Sequence, residues 1–182
     1  MKKRGSKTAV WIGAFLVFTT MISCGSREED KEVYRDDVAC SDIVAAVAEA
    51  LGDAYWPDTD MPPEYLEDML GMSADLYVDG AGQTPMISTN VDTLIVVKAK
   101  PEERDRVTRL VREYQEALQQ DTMQYPVNLG KIQASEVEVL GNYVCFIQLG
   151  ADTSTLEEEE DVIEQCKAAN EKAAEVIRQK LK

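Results

Sequence analysis

The sequence predicts an α+β domain: an antiparallel sheet of about four strands with long helices packed on one face. Three observations predict it. Apolar residues recur at helical spacing in separated stretches, notably residues 43–51 and 107–118 and the chain end from residue 156. β-Branched runs lie between them, at residues 92–99 and 136–149. The second run is broken by Gly141-Asn142, a pair that tolerates the positive φ of a tight turn, so its two halves read as a hairpin.

The chain does not begin with that domain. Lys2, Lys3, Arg4 and Lys7 precede residues 9–22, which carry no charge. That run is short of the roughly 20 apolar residues a transmembrane helix needs. A basic start, a short apolar run and a small residue before a cut mark a secretory signal. Met21-Ile22-Ser23-Cys24 resembles the lipobox of bacterial lipoproteins, with Met21 where leucine is usual. The resemblance implies that residues 1–23 are a cleaved signal peptide. It also implies that Cys24 carries lipid such as palmitate, holding the protein on the extracytoplasmic face of the cell membrane. The competing reading is an uncleaved signal anchor with Cys24 as a bystander.

No acid precedes Cys24, so the chain after cleavage keeps 34 acids against 19 − 4 = 15 bases, a formal charge of −19. Such a surface is repelled by phosphate polymers, so no nucleic-acid partner is expected. Anionic lipid heads repel it too, and the acyl chains on Cys24 must supply the membrane contact. Residues 24–39 then read as acylated cysteine and disordered tether. Within them residues 25–37 are polar and charged apart from Val33 and Tyr34, with a reach of about 20 Å. Residues 40–182 are enough for one domain.

Within it, Ser41 reads as the cap of a helix whose Ile43, Val44, Val47 and Leu51 form one stripe, ended by Gly52. Residues 53–65 form a loop by their prolines and aspartates. Pro63 starts a short helix through Leu70, closed by Gly71. Residues 75–85 carry turn residues and a short strand, and residues 92–99 a firm one. Beyond Pro101, the residues Val107, Leu110, Val111, Tyr114 and Leu118 make a helical stripe. Opposite it, Arg104, Arg106, Arg109 and Arg112 read as a solvated face of i,i+4 pairs: Glu102–Arg106, Asp105–Arg109, Arg109–Glu113 and Arg112–Glu116. A loop leads to the hairpin. There Val137 and Val139 alternate with Glu136 and Glu138 as in an outer strand, and residues 143–149 are apolar on both faces except Gln148. The last helix spans residues 156–181, with Thr155 and Glu158 as a capping box. Its acidic start and basic end suit the helix dipole without any metal.

Residues 42–150, from the Ser41 helix through PMISTNVDTLIVVKAK, the Arg-rich helix and LGNYVCFIQLG, resemble an uncharacterised lipoprotein family of Gram-positive anaerobes built on a domain of unknown function. The long helix after Gly150 departs from it, as an added packing element or an extended arm. The family implies a class and brings no chemistry with it.

No histidine occurs in the chain, which removes Ser-His and Cys-His nucleophile pairs and histidine metal sites. No phosphate loop or dinucleotide fingerprint is present, so no cofactor, metal site or catalytic residue is assigned. Asp58 with Glu64 is the carboxylate pair a glycosidase reading would use. Cys145 reads as core and Cys166 as part of the last helix's stripe, while a Cys40–Cys166 bridge stays open. The ligand-binding candidates are Tyr55, Trp56, Asp58 and Asp60. There large aromatics, prolines and carboxylates coincide on one loop, suited to a sugar ring on Trp56 or to a basic peptide. The same aromatics can instead cap the first helix as core. The expected function is a membrane-tethered extracytoplasmic binding or interaction module with a cell-wall or peptide ligand. The alternatives are a cell-envelope hydrolase using carboxylates and a structural or regulatory accessory to a membrane complex.

Overall fold

The computed structural model describes residues 33–87 and 89–182. The expected signal peptide, Cys24 and the tether up to residue 32 lie outside the described residues. Five strands form one antiparallel sheet: β1 (Thr59–Asp60), β2 (Tyr77–Thr84), β3 (Thr93–Ala99), β4 (Glu136–Leu140) and β5 (Tyr143–Gln148), in the order β1-β2-β3-β5-β4. The α+β class and the antiparallel sheet are as the sequence predicts. The fifth strand is β1, two residues long, inside what reads as a loop. Gly141 takes φ 59° in the β4–β5 turn, the left-handed conformation that favours glycine.

The helices cover both faces of the sheet, which corrects the expectation of one. On the first face α1 (Cys40–Leu51) and α5 (Glu159–Lys180) pack Ile43, Val47, Ala173 and Ile177 against Leu94, Val96, Cys145 and Ile147. On the second, α2 (Pro63–Leu70) and α3 (Arg104–Gln120) pack Leu66, Leu70, Val107 and Val111 against Ile95, Val97, Val144 and Phe146. The cause is in the strands. β3 and β5 are apolar at successive positions, and alternation sends neighbouring side chains to opposite faces, so each face needs its own cover. Phe146 is fully buried with the Tyr114 ring 5.2 Å away, edge to face. Both cores close among residues 38–181, and the described residues form one compact unit.

Helix ends differ in detail from the sequence reading. Ala39, not Ser41, is the N-cap of α1, and no side chain caps it locally. Asp79 on β2 serves instead, its Oδ2 accepting the Cys40 N–H at 2.7 Å, a carboxylate where the helix dipole favours one. Gly52 and Gly71 end α1 and α2 at φ 55° and 58°. The Thr155–Glu158 capping box does not form: Glu158 is the N-cap of α5 and makes no side-chain cap bond. Of the four expected arginine pairs on α3, the ion pair Arg109–Glu113 forms, at 4.0 Å, while Arg106 turns to Glu103.

The sequence reading passes over α4 (Pro126–Gln133), a helix begun by a proline at its first turn like α2. It lies against α3 and α5. Residues 34–39, read as tether, lie on the domain. Tyr34 packs on the first core, Arg35 N–H donates to Leu181 O at 2.7 Å, and Val38 N–H and C=O both bond the buried Tyr143 hydroxyl. The helix beyond Gly150 is a packing element: Asn170 accepts Leu149 N–H at 2.8 Å and donates to Ala134 O at 2.7 Å. Cys40, Cys145 and Cys166 are buried free thiols, so no Cys40–Cys166 bridge exists. Among the described residues no helix is long and apolar enough to cross a membrane.

Candidate functional site

The sequence sends α1 into a tight end at Gly52, a single 3-10 turn over Gly52–Ala54, and then Tyr55-Trp56-Pro57. Beyond the turn Tyr55 is extended (φ −97°, ψ 108°), and extended backbone sends successive side chains to opposite sides. Tyr55 lies half-buried against the first core, and its hydroxyl donates to Gln83 Oε1 at 2.9 Å. Burial pushes its phenol pKa well up, so it stays a neutral donor. Trp56 turns outward and is 40 % exposed. The two readings of this loop therefore divide: Tyr55 is the core cap, and Trp56 is the surface aromatic.

Trp56 is the ridge between two clefts. One, of about 370 Å³, is bounded by Tyr55, Trp56, Asp58, Pro85 and Ile87. The other, of about 300 Å³, is bounded by Trp56, Asn128, Lys131, Ala151 and Asp152, and the two share Thr89 and Asn90. A third, of about 360 Å³, continues from Val127 and Thr153 to Leu156, Glu157 and Glu159. Trp56, Ile87 and Val127 are large apolar side chains left exposed along this run, the last two at 67 % and 55 %.

Beneath the ridge sits a buried ion pair. Lys131 Nζ is 2.5 Å from Asp92 Oδ1, with side chains 4 % and 0 % exposed. The same ammonium donates to Ala151 O at 2.7 Å and Asn90 Oδ1 at 3.4 Å. Asp92 Oδ2 accepts the N–H groups of Gly150 and Ala151 at 3.3 and 3.0 Å. This holds Ala151 at φ 51°, an uncommon conformation for a non-glycine residue. The Trp56 ring lies 5.3 Å from Lys131 Nζ, within cation–π range. Asn128 Nδ2 donates to Thr89 O at 3.1 Å. The pair and this bond thus tie α4, the β2–β3 connection and the β5–α5 connection under one aromatic.

Two of the four candidates stand beside Trp56. Tyr55 lines the first cleft with it. Asp58 lines that cleft too, but its Oδ1 accepts Met86 N–H at 3.2 Å and the Thr59 hydroxyl at 2.9 Å, which anchors the loop after β2. Asp60 is on β1, where it accepts Gln83 Nε2 at 2.7 Å, and it lines none of these clefts. Glu64 lines none of these clefts either. Asp92, Lys131, Asn90 and Asn128 were missed. Pro126 at the head of α4 was the signal available, being the same N-terminal proline that marks α2. Pairing across 39 residues has no sequence signature.

The chemistry of the thiols is inert. Burial, first among the causes, pushes Cys145 up to about 12 and Cys166 to about 11, and raises Cys40 further, so none is a ready thiolate. Among the described residues no group of three or more acidic or cysteine side chains is placed to hold a metal ion. The arrangement offers recognition: an exposed indole, apolar flanks, and acids at the margin.

A family described as Domain of unknown function (DUF4358) matches residues 52–149. The match takes in the whole sheet with α2, α3 and α4, while α1 and α5, the cover of the first face, lie outside it. Neither the curated proteins nor the solved structures hold a match to the chain.

Proposed function

From a chain that belongs to the DUF4358 family, we propose a non-catalytic binding module, held by lipid on Cys24 at the extracytoplasmic face of a membrane. Its recognition surface is the run of clefts around Trp56. The observation that carries the reading is the charge pattern of that surface. Trp56, Ile87, Val127 and Leu156 give it an apolar centre, and Asp58, Asp152, Glu157 and Glu159 an acidic margin. Lys131, the cation among the lining residues, is already neutralised by Asp92. A chain with a charge of −19 after cleavage adds a long-range field of the same sign.

The ligand class this favours is a basic peptide segment with an apolar anchor. A sugar ring could also stack on Trp56, but one oxygen each of Asp58 and Asp60 already holds the loop, and Asp60 lines none of the clefts. A cation needs only the net negative charge of the margin. The test is calorimetric titration of a form spanning residues 25–182 with cationic peptides bearing one aromatic or aliphatic anchor, beside neutral wall-type glycans. The expectation is peptide binding that weakens with salt and falls at least about tenfold in Trp56→Ala, as for an aromatic anchor at the centre of a contact. Binding of glycans alone, or equal peptide binding by Trp56→Ala, would overturn the reading.

A further inference from the structure

Gln148 ends β5 on the face that Val144 and Phe146 share, so its side chain enters the second core layer between α2 and α3. It is 2 % exposed. Its Nε2 donates to Val91 O, a carbonyl that the Thr93 hydroxyl also engages, at 3.0 Å. With the amide nitrogen committed to a carbonyl, Oε1 is fixed as an acceptor on the other side. Among the described residues no donor reaches it. Buried polar atoms of native folds nearly always have a partner, so this one points to a missing donor.

Gln148 and Thr93 line a cavity of about 150 Å³ whose walls are Met61, Met69, Tyr114, Leu118 and Ile132, with Tyr65 beside them, itself half-exposed. No charged side chain lines it. Thr84, Asn90 and Gln124 add polar groups to the lining, so the pocket is mixed, with an apolar side and a polar side. A space of about that volume takes a benzene-sized molecule, and two thioethers beside aromatic rings adapt well to a flat guest. Burial pushes the Tyr114 phenol up to about 12, so that wall is a neutral hydroxyl-bearing ring. The cavity meets the Trp56 clefts at Asn90, which lines both, yet its walls belong to the other face of the sheet.

We propose that this cavity is a second binding site, for a small neutral single-ring molecule carrying one O–H or N–H donor. The ring packs against Met61, Met69, Tyr114 and Leu118, and the donor reaches Gln148 Oε1. Buried acceptors of this kind discriminate strongly against analogues that leave them unpaired. The site is independent of the peptide reading, since it needs neither Trp56 nor any charged group.

The probes are phenol and toluene, alike in shape and differing in the donor. Each is titrated into residues 25–182, with the methionine methyl resonances and the Gln148 side-chain amide followed by NMR. Phenol is expected to shift Met61, Met69 and Gln148 and to bind roughly tenfold tighter than toluene, the value of one well-made hydrogen bond. Tyr65→Ala, at a half-exposed position of the lining, weakens both probes, and Gln148→Met erases the preference for phenol. If Gln148→Met fails to fold, the phenol-to-toluene ratio in the wild type decides. Equal affinities, no shift with either probe, or a crystal grown in saturating phenol that shows only an ordered water at Gln148 Oε1 would each overturn the proposal.

Discussion

Lys131 Nζ and Asp92 Oδ1 meet at 2.5 Å with almost no solvent contact, across 39 residues of sequence. Removing one member leaves the other charge buried and unpaired, which costs about 3–5 kcal/mol. Lys131→Met is therefore expected to lower the unfolding free energy by that amount in denaturant titration. A loss below about 1 kcal/mol would show that water reaches the pair.

Gly150 is close-packed against the partner elements of that pair. A Cβ there would stand 2.5 Å from Cys166 Sγ and 3.4 Å from Lys131 side-chain carbons. Gly150→Ala is expected to cost about 1–3 kcal/mol, as overpacking does. Cys166→Ala in the same chain should recover most of it, because the sulfur is the atom in the way. A double-mutant cycle reads this coupling directly, and additive losses would place the strain elsewhere.

Much of the sheet was legible because its signals are local. Gly141-Asn142 fixed the hairpin, and strand alternation put Phe146 and Cys145 on opposite faces, as the two cores show. Pro63 and Gly71 marked both ends of α2. The second helical layer followed from strands that are apolar on both sides, a consequence the one-face expectation did not draw. β2 was harder, since Gly80 and Gly82 lower strand propensity. At Gly82 the packing is close: a Cβ would stand 3.0 Å from Met61 Sδ and 3.3 Å from Leu66 and Ile95 side-chain carbons. The Trp56 loop was found by composition, whereas Lys131 and Asp92 were invisible because tertiary structure alone brings them together.

Glu136 sits at the start of the edge strand β4, partly buried, and its Oε1 has no partner among the described residues. Burial first, then the charges of Glu171 and Glu138, raise its pKa above the usual carboxylate value. The folded state then holds a proton more tightly than the unfolded one, so this group's contribution to stability falls as pH rises from the ordinary carboxylate range through the raised value. Glu136→Gln should raise the melting temperature at pH 7 and lose that advantage near pH 4. A gain that is the same at both pH values would mean the carboxylate is solvated in the folded protein.

Cys24 is the expected anchor. Cys24→Ala should shift the protein from the membrane fraction to the medium, or leave an uncleaved precursor. Mass spectrometry of membrane-associated protein that finds Cys24 unmodified with Met1 attached would end the lipoprotein reading and leave the binding proposal standing on the domain alone.

The central claim, that Trp56 is a contact residue, can be measured on a form spanning residues 25–182. Trp11 is then absent and Trp56 is the only indole. Acrylamide is the right quencher, because an acidic margin would repel iodide. At 40 % exposure the free protein should be quenched readily, and a saturating cationic, apolar-anchored peptide should shield the indole and shift its emission to the blue. Emission that resists quenching in the free protein, or quenching unchanged by any such peptide, would contradict the account.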